Sequence, residues 1–212
     1  MYQAEGNLQE AAELLIDVDE RTTSVTAFAT KLDQLRLERN HAEAIRLLQA
    51  RRAQVPSACD GFEMLHLAFA QSLSGDTAGA KSTAQQVRNT LEPVCKEQPD
   101  NPDFAIELAL ADAVLGQKDS ALKGAERAIM LVPSAKDAGH RAGYEEILAL
   151  IQTVFGENGG AISTLTQLLK TPYGSLIYGP APVTPALLRL DPTWDPLRAD
   201  PAFQRLCEEK QP

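Results

Sequence analysis

The stretch PDFAIELALADAVLGQKDSALKGAERAIMLVP, residues 102–133, contains in one run the features that decide the fold. Its first half is apolar and rich in helix formers, Gly116 interrupts it, Ala121 follows five positions later, and Pro133 closes it. Glycine adopts the left-handed conformation that ends a helix at little cost, alanine lets a returning helix approach closely, and proline stops that second helix. The stretch therefore predicts two antiparallel helices joined by a tight turn.

Working outward, the pairing of a turn residue with an alanine five positions on recurs at Gly6/Ala11, Arg39/Ala44, Gly75/Ala80, Gly116/Ala121 and Gly156/Ala161. The first members stand 33, 36, 41 and 40 residues apart, within the range of helical-hairpin repeats. Leu-Ala steps at Leu67-Ala68, Leu108-Ala109 and Leu148-Ala149 precede three of the turns, where their alanines would face the returning helix. Pro56, Pro93, Pro133 and Pro172 fall where the second helices should stop. Helices are expected near residues 7–17, 21–38, 41–54, 60–74, 77–97, 102–115, 118–131, 138–155 and 159–170, with an irregular join from Pro93 to Pro102.

These residues resemble the tetratricopeptide repeat: Ala109, Gly116, Ala121, Ala128 and Pro133 match its pattern. Ala125, Leu48, Ala84 and Leu165 stand where that family usually has bulky aromatics, and other helical-hairpin arrays leave a similar trace. The resemblance implies an all-α solenoid of four to five hairpins over residues 1–170, followed by a proline-rich linker and capping segment over 171–212. Gly6 and Ala11 read as the turn and second helix of a hairpin whose first helix is nearly missing, which predicts an exposed apolar edge and an upstream part of a longer protein.

In the tail, Asp191-Pro192, Asp195-Pro196 and Asp200-Pro201 each pair a good helix cap with a residue suited to the first helical position, so each can start a short helical turn. Leu187, Leu188, Leu190, Trp194, Leu197, Phe203 and Leu206 form an apolar side suited to lying on the last hairpin. The run LRLDPTWDPLRADPAF, from Leu188 to Phe203, also resembles the closing segment of many bacterial multidomain signalling proteins with tetratricopeptide regions. Ala202 departs from it where arginine is common. Such proteins commonly carry a Ser/Thr kinase, nucleotide cyclase or winged-helix domain upstream, so the resemblance implies a regulatory, partner-binding region.

Composition agrees with helix against helix: 44% of the 212 residues are hydrophobic but only 5% aromatic. A formal charge of −9 has the wrong sign for nucleic acid or an anionic membrane surface. The main basic cluster, Arg46, Arg51 and Arg52, reads as a solvated helix face. Cys59, Cys95 and Cys207 are odd in number and show neither disulfide nor zinc spacing, which fits a reducing compartment. A cytoplasmic location follows, on condition that no membrane span lies upstream. His41, His66 and His140 have no ligand partner at helical spacing, no phosphate-loop or nucleophile motif occurs, and the carboxylates at Asp17/Asp19/Glu20, Glu145/Glu146 and Glu208/Glu209 read as solvated faces. Neither a cofactor nor a catalytic constellation is expected.

In tetratricopeptide stacks the first helix of each hairpin lines the concave surface. That implies a groove formed by Asp33, Arg36, Phe62, Leu65, Phe69, Leu73, Ile106, Leu110, Val114 and Leu150, with Glu146 and Thr153 beside them. The groove is mostly apolar and lacks the Lys/Arg clamp with which some such domains hold acidic peptide ends. It suits a protein or peptide segment, a second copy of the chain in a homodimer, or the chain's own 171–190 linker folded back.

Overall fold

The turn residues fix the architecture. In the computed structural model, which describes residues 2–54, 61–132, 138–179 and 181–208, all five lie in the left-handed region: Gly6 at φ 85°, Arg39 at 58°, Gly75 at 86°, Gly116 at 80° and Gly156 at 73°. At each, the next residue's N–H donates back to the carbonyl five residues earlier, as in Gln117 to Asp112 (2.9 Å) and Asn40 to Leu35 (2.8 Å). That same next residue opens the following helix, its carbonyl accepting from the alanine four positions on: Ala11, Ala44, Ala80, Ala121 or Ala161. The five-residue spacing is thus the length of one helix closure plus one helix opening. All five alanines are at most 5% exposed.

The described residues are all-helical, without strands. Helices α1 (Tyr2–Glu5), α2 (Leu8–Leu14), α3 (Val25–Leu37), α4 (His41–Gln54), α5 (Gly61–Leu73), α6 (Thr77–Glu97), α7 (Pro102–Leu115), α8 (Lys118–Leu131), α9 (Ala138–Val154) and α10 (Asn158–Leu168) precede the tail. From α4 to α10 the bounds agree with the sequence expectation to within two residues. Local capping explains this: Asp76 accepts from Gly79 N at 2.9 Å, and Asn101 caps α7 ahead of Pro102. Pro93 sits inside a continuous α6 rather than ending it. Pro56, Pro133 and Cys59 lie outside the described residues.

Two expected helices are shorter than predicted. The first stops at Leu14, leaving Leu14 and Ile16 exposed. The second starts at Val25 rather than at residue 21, because Thr22 bonds the backbone of Asp19 and Ser24 caps α3 through Ala27 N. Thr and Ser side chains compete with helical bonding in this way. Arg51 corrects the reading of a solvated basic face: it is buried, pairs with Glu63 at 2.8 Å and lies over the Phe28 ring.

Helices α5, α7 and α9 touch in succession and form one layer, with α6 and α8 each packed against the two layer helices that flank it and α10 against α9. Small residues hold the layers together. A Cβ on Gly124 of α8 would come within 3.0 Å of Ala109 Cβ on α7, and Ala121, Ala125 and Ala128 are fully buried.

The tail then crosses the molecule. Residues 169–179 and 181–184 are irregular apart from short turns; α11 (Pro185–Leu190), a 3-10 turn (Pro192–Leu197) and α12 (Pro201–Glu208) follow. Thr184, Asp191 and Asp200 cap these elements, accepting from Leu187, Thr193 and Ala202. Asp195-Pro196 falls within the 3-10 turn and starts nothing new. Helix α12 touches α10 as expected of a cap, but α11 packs on α1 at the other end of the array. Ala186 and Leu190 approach Gly6, and Thr184 Oγ1 donates to Ala4 O at 2.7 Å. The edge expected to be exposed at Gly6 is therefore covered by the chain's own tail.

Gly116→Ala should lower stability by about 1 kcal/mol although no atom lies within 4 Å of the added methyl group, because the cost is that of a left-handed L residue. Gly159→Ala, in equally open space but inside α10, should raise stability by about 0.5 kcal/mol. Urea unfolding of the two variants checks the opposite signs.

Candidate functional site: a cavity beneath the tail

On the face formed by α5, α7 and α9, the tail roofs part of the predicted groove and leaves a cavity of about 320 Å³. Arg36, Leu65, Phe69, Ile106, Leu110 and Leu150 of the predicted groove line it. They are joined by His66, Asp103, Glu107 and Ile147 from the same layer, and by Leu176, Ile177 and Thr193 from the tail. Of the occupants open to the groove, the chain's own linker therefore takes part of it.

The other predicted groove residues lie elsewhere. Leu73 lines a much smaller neighbouring recess with His41, Ala44 and Leu48. Val114 is half-buried away from the cavity, and Thr153 is buried with its hydroxyl donated to Ala149 O at 2.8 Å. The side chain of Phe62 lies outside the described residues. Asp33 is buried in an ion pair with Arg36 rather than facing a groove.

Two buried polar clusters fasten the tail. In the first, Arg36 Nε meets Asp191 Oδ2 at 3.0 Å and Arg36 Nη1 meets Asp33 Oδ1 at 3.0 Å. The Tyr178 hydroxyl donates to Asp191 Oδ2 (2.8 Å) and accepts from Trp194 Nε1 (2.8 Å). Arg36 also lies 5.4 Å from the Tyr178 ring centroid. Burial opposes the guanidinium charge, but Asp191 and Asp33 outweigh it and hold Arg36 cationic. Burial pushes the Asp33 carboxyl up to about 7, with Arg36 acting against the shift. At the surface beside this cluster, Asp195 accepts from the two terminal guanidinium nitrogens of Arg39, at 2.6 and 2.8 Å, and also pairs with Arg198.

Glu146 forms the second cluster and corrects its reading as part of a solvated face: it is completely buried beneath the tail. Ser175 Oγ donates to its Oε2 at 2.5 Å and accepts from the N–H groups of Ile177 and Tyr178. Burial raises the Glu146 carboxyl to about 7, against the lowering effect of Ser175 and the neighbouring Tyr173 hydroxyl. Burial and the nearby Arg36 push His66 well down, so its imidazole is neutral in the cavity wall. Among the described residues no group of three His, Cys, Asp or Glu side chains is placed to hold a metal, and no helix is long and apolar enough to cross a membrane.

The tail residues of the cavity escape a reading of the sequence because their contacts are distant: Arg36 and Asp191 are 155 positions apart. A usable signal is present in the cluster Tyr173, Ser175, Leu176, Ile177 and Tyr178, which is unusually apolar and hydroxyl-rich for a linker.

Because Glu146 has a folded pKa above its ordinary value of 4.5, the folded state binds more protons than the unfolded state between about 4.5 and 7. Its contribution therefore stabilises fully at lower pH and is lost as pH rises through 7. Glu146→Gln should gain stability relative to the native chain between pH 5 and pH 8 by about 2 kcal/mol. Urea unfolding followed by the fluorescence of Trp194, the only tryptophan, checks this. No protein-family model matches the chain, and no curated protein matches it.

Proposed function

We propose that the chain is a tetratricopeptide-like helical solenoid that acts as a non-catalytic protein-interaction module, binding a protein segment at the cavity beneath its tail. The observation that carries this reading is the cavity itself: about 320 Å³, walled largely by Leu65, Phe69, Ile106, Leu110, Ile147 and Leu150. A void of this size and apolarity has the character of a ligand site. The five identical turns with buried alanines support the repeat assignment. Asp33, Asp191 and Glu146, the buried carboxylates, are fastened to Arg36 and Ser175 away from solvent.

The tail gives the signalling assignment its support. Four residues of the LDPTWDPLRADP run help to hold the tail in place, with Asp191 on Arg36, Trp194 buried on Tyr178, Asp195 on Arg39, and Asp200 as a helix cap. We assign the chain to the regulatory end of a bacterial signalling protein on that resemblance. Self-association is the second reading, favoured by the exposure of Leu14 (71%), Ile16 (76%) and Val25 (60%) near the first turns.

A photo-crosslinking amino acid at Leu110 should capture a protein partner in cells, whereas the same group at Met130, 72% exposed and absent from the cavity lining, should not. Equal capture at both positions would remove the cavity from consideration. Crosslinks from Leu110 only to a second copy, with a mass that doubles with concentration, would select self-association.

A further inference from the structure

We infer that the cavity selects a partner segment that inserts an apolar side chain flanked by lysine or arginine, and rejects an acidic one. This rests on the reading of the cavity as a protein-binding site and adds the chemistry of the occupant. Its charge is decided by what surrounds the apolar walls. Arg36 is the one lysine or arginine among the described lining residues, and its charge is already engaged by Asp33 and Asp191 at 3.0 Å each. A carboxylate entering there would meet two carboxylates around one guanidinium. His66 is neutral and supplies no compensating charge.

The cavity also carries an exposed carboxylate. Asp103, exposed in the first turn of α7, lines the cavity and accepts from the Tyr144 hydroxyl through Oδ1 at 2.6 Å. Tyr144 is itself buried, so the Asp103 carboxylate is anchored at the mouth rather than swinging freely. The whole chain carries −9, which adds long-range attraction for a basic partner. The volume of about 320 Å³ holds a large side chain rather than a helix, so the cavity takes an anchor residue while the flanking cations reach the rim.

The test uses the full chain and two matched peptides, acetyl-Phe-Lys-Lys-amide and acetyl-Phe-Glu-Glu-amide, with methyl NMR as the readout. The basic peptide should shift the methyl signals of Ile106, Leu110, Leu150 and Ile177 and bind at least about ten-fold more tightly than the acidic one. In Asp103→Asn the preference should fall to within about three-fold. Equal or tighter binding of the acidic peptide, a preference that survives Asp103→Asn, or the absence of methyl shifts with either peptide overturns the inference. Capture from Leu110 of a partner whose crosslinked segment is acidic would also overturn it, while leaving the interaction-module reading in place.

Discussion

The left-handed turn residue is the constraint from which the rest of this structure follows. One residue at positive φ lets a helix close with a bond back across its last turn while the very next residue opens the succeeding helix. No loop intervenes, so the two helices must meet almost at their ends. Only small side chains fit there, which is why an alanine recurs five positions on and is always buried. Arg39 is the exception that shows the cost. An L residue in this region is disfavoured by about 1–2 kcal/mol, and Arg39 offsets part of that through its two-point contact with Asp195 of the tail.

That contact belongs to a second constraint, the fastening of the tail across the array. A buried ion pair such as Arg36–Asp191 adds little net stability, because desolvation cancels much of the attraction. Its consequence is positional. Buried carboxylates must meet their partners, so Asp191 at Arg36 and Glu146 at Ser175 leave the tail one register over the layer of α5, α7 and α9. The cavity is the space that this register leaves between the tail and that layer.

The turns and helix bounds are legible in the sequence because their causes are local: a glycine, a cap, an alanine at fixed spacing. Face mapping from the same marks picks out Leu65, Phe69, Ile106, Leu110 and Leu150 of the cavity but not His66, Asp103, Glu107 or Ile147. Legibility ends where the cause is distant. Arg51 looks solvated until Glu63 and the Phe28 ring are beside it, and Glu146 looks solvated until Ser175 covers it. The short α2 is hidden for a different reason: Leu14 and Ile16 extend the apolar pattern of a helix that the structure ends at Leu14. Here a periodic pattern gives way to tight turns, with the Leu15 N–H donating to Ala12 O and the Val18 N–H to Leu15 O.

The low aromatic content and the apolar cavity have a common origin. Close helix approach fills the space between layers with alanines such as Ala109, Ala121, Ala125, Ala128, Ala149 and Ala161, each no more than 1% exposed. Residues that small bury little area apiece, so the larger apolar side chains of α5, α7 and α9 must find their burial on the opposite side of that layer. Ile106 and Leu150 find it in the core that includes Ile177 of the tail and Leu65 is buried beside Val87 and Leu91 of α6, whereas Phe69 and Leu110 stay partly open at the cavity. A longer or bulkier tail would have closed that space. In the reading we propose, the apolar surface that Leu176 and Ile177 leave uncovered is what a partner segment would bury, with the Asp103 carboxylate setting the charge that segment carries.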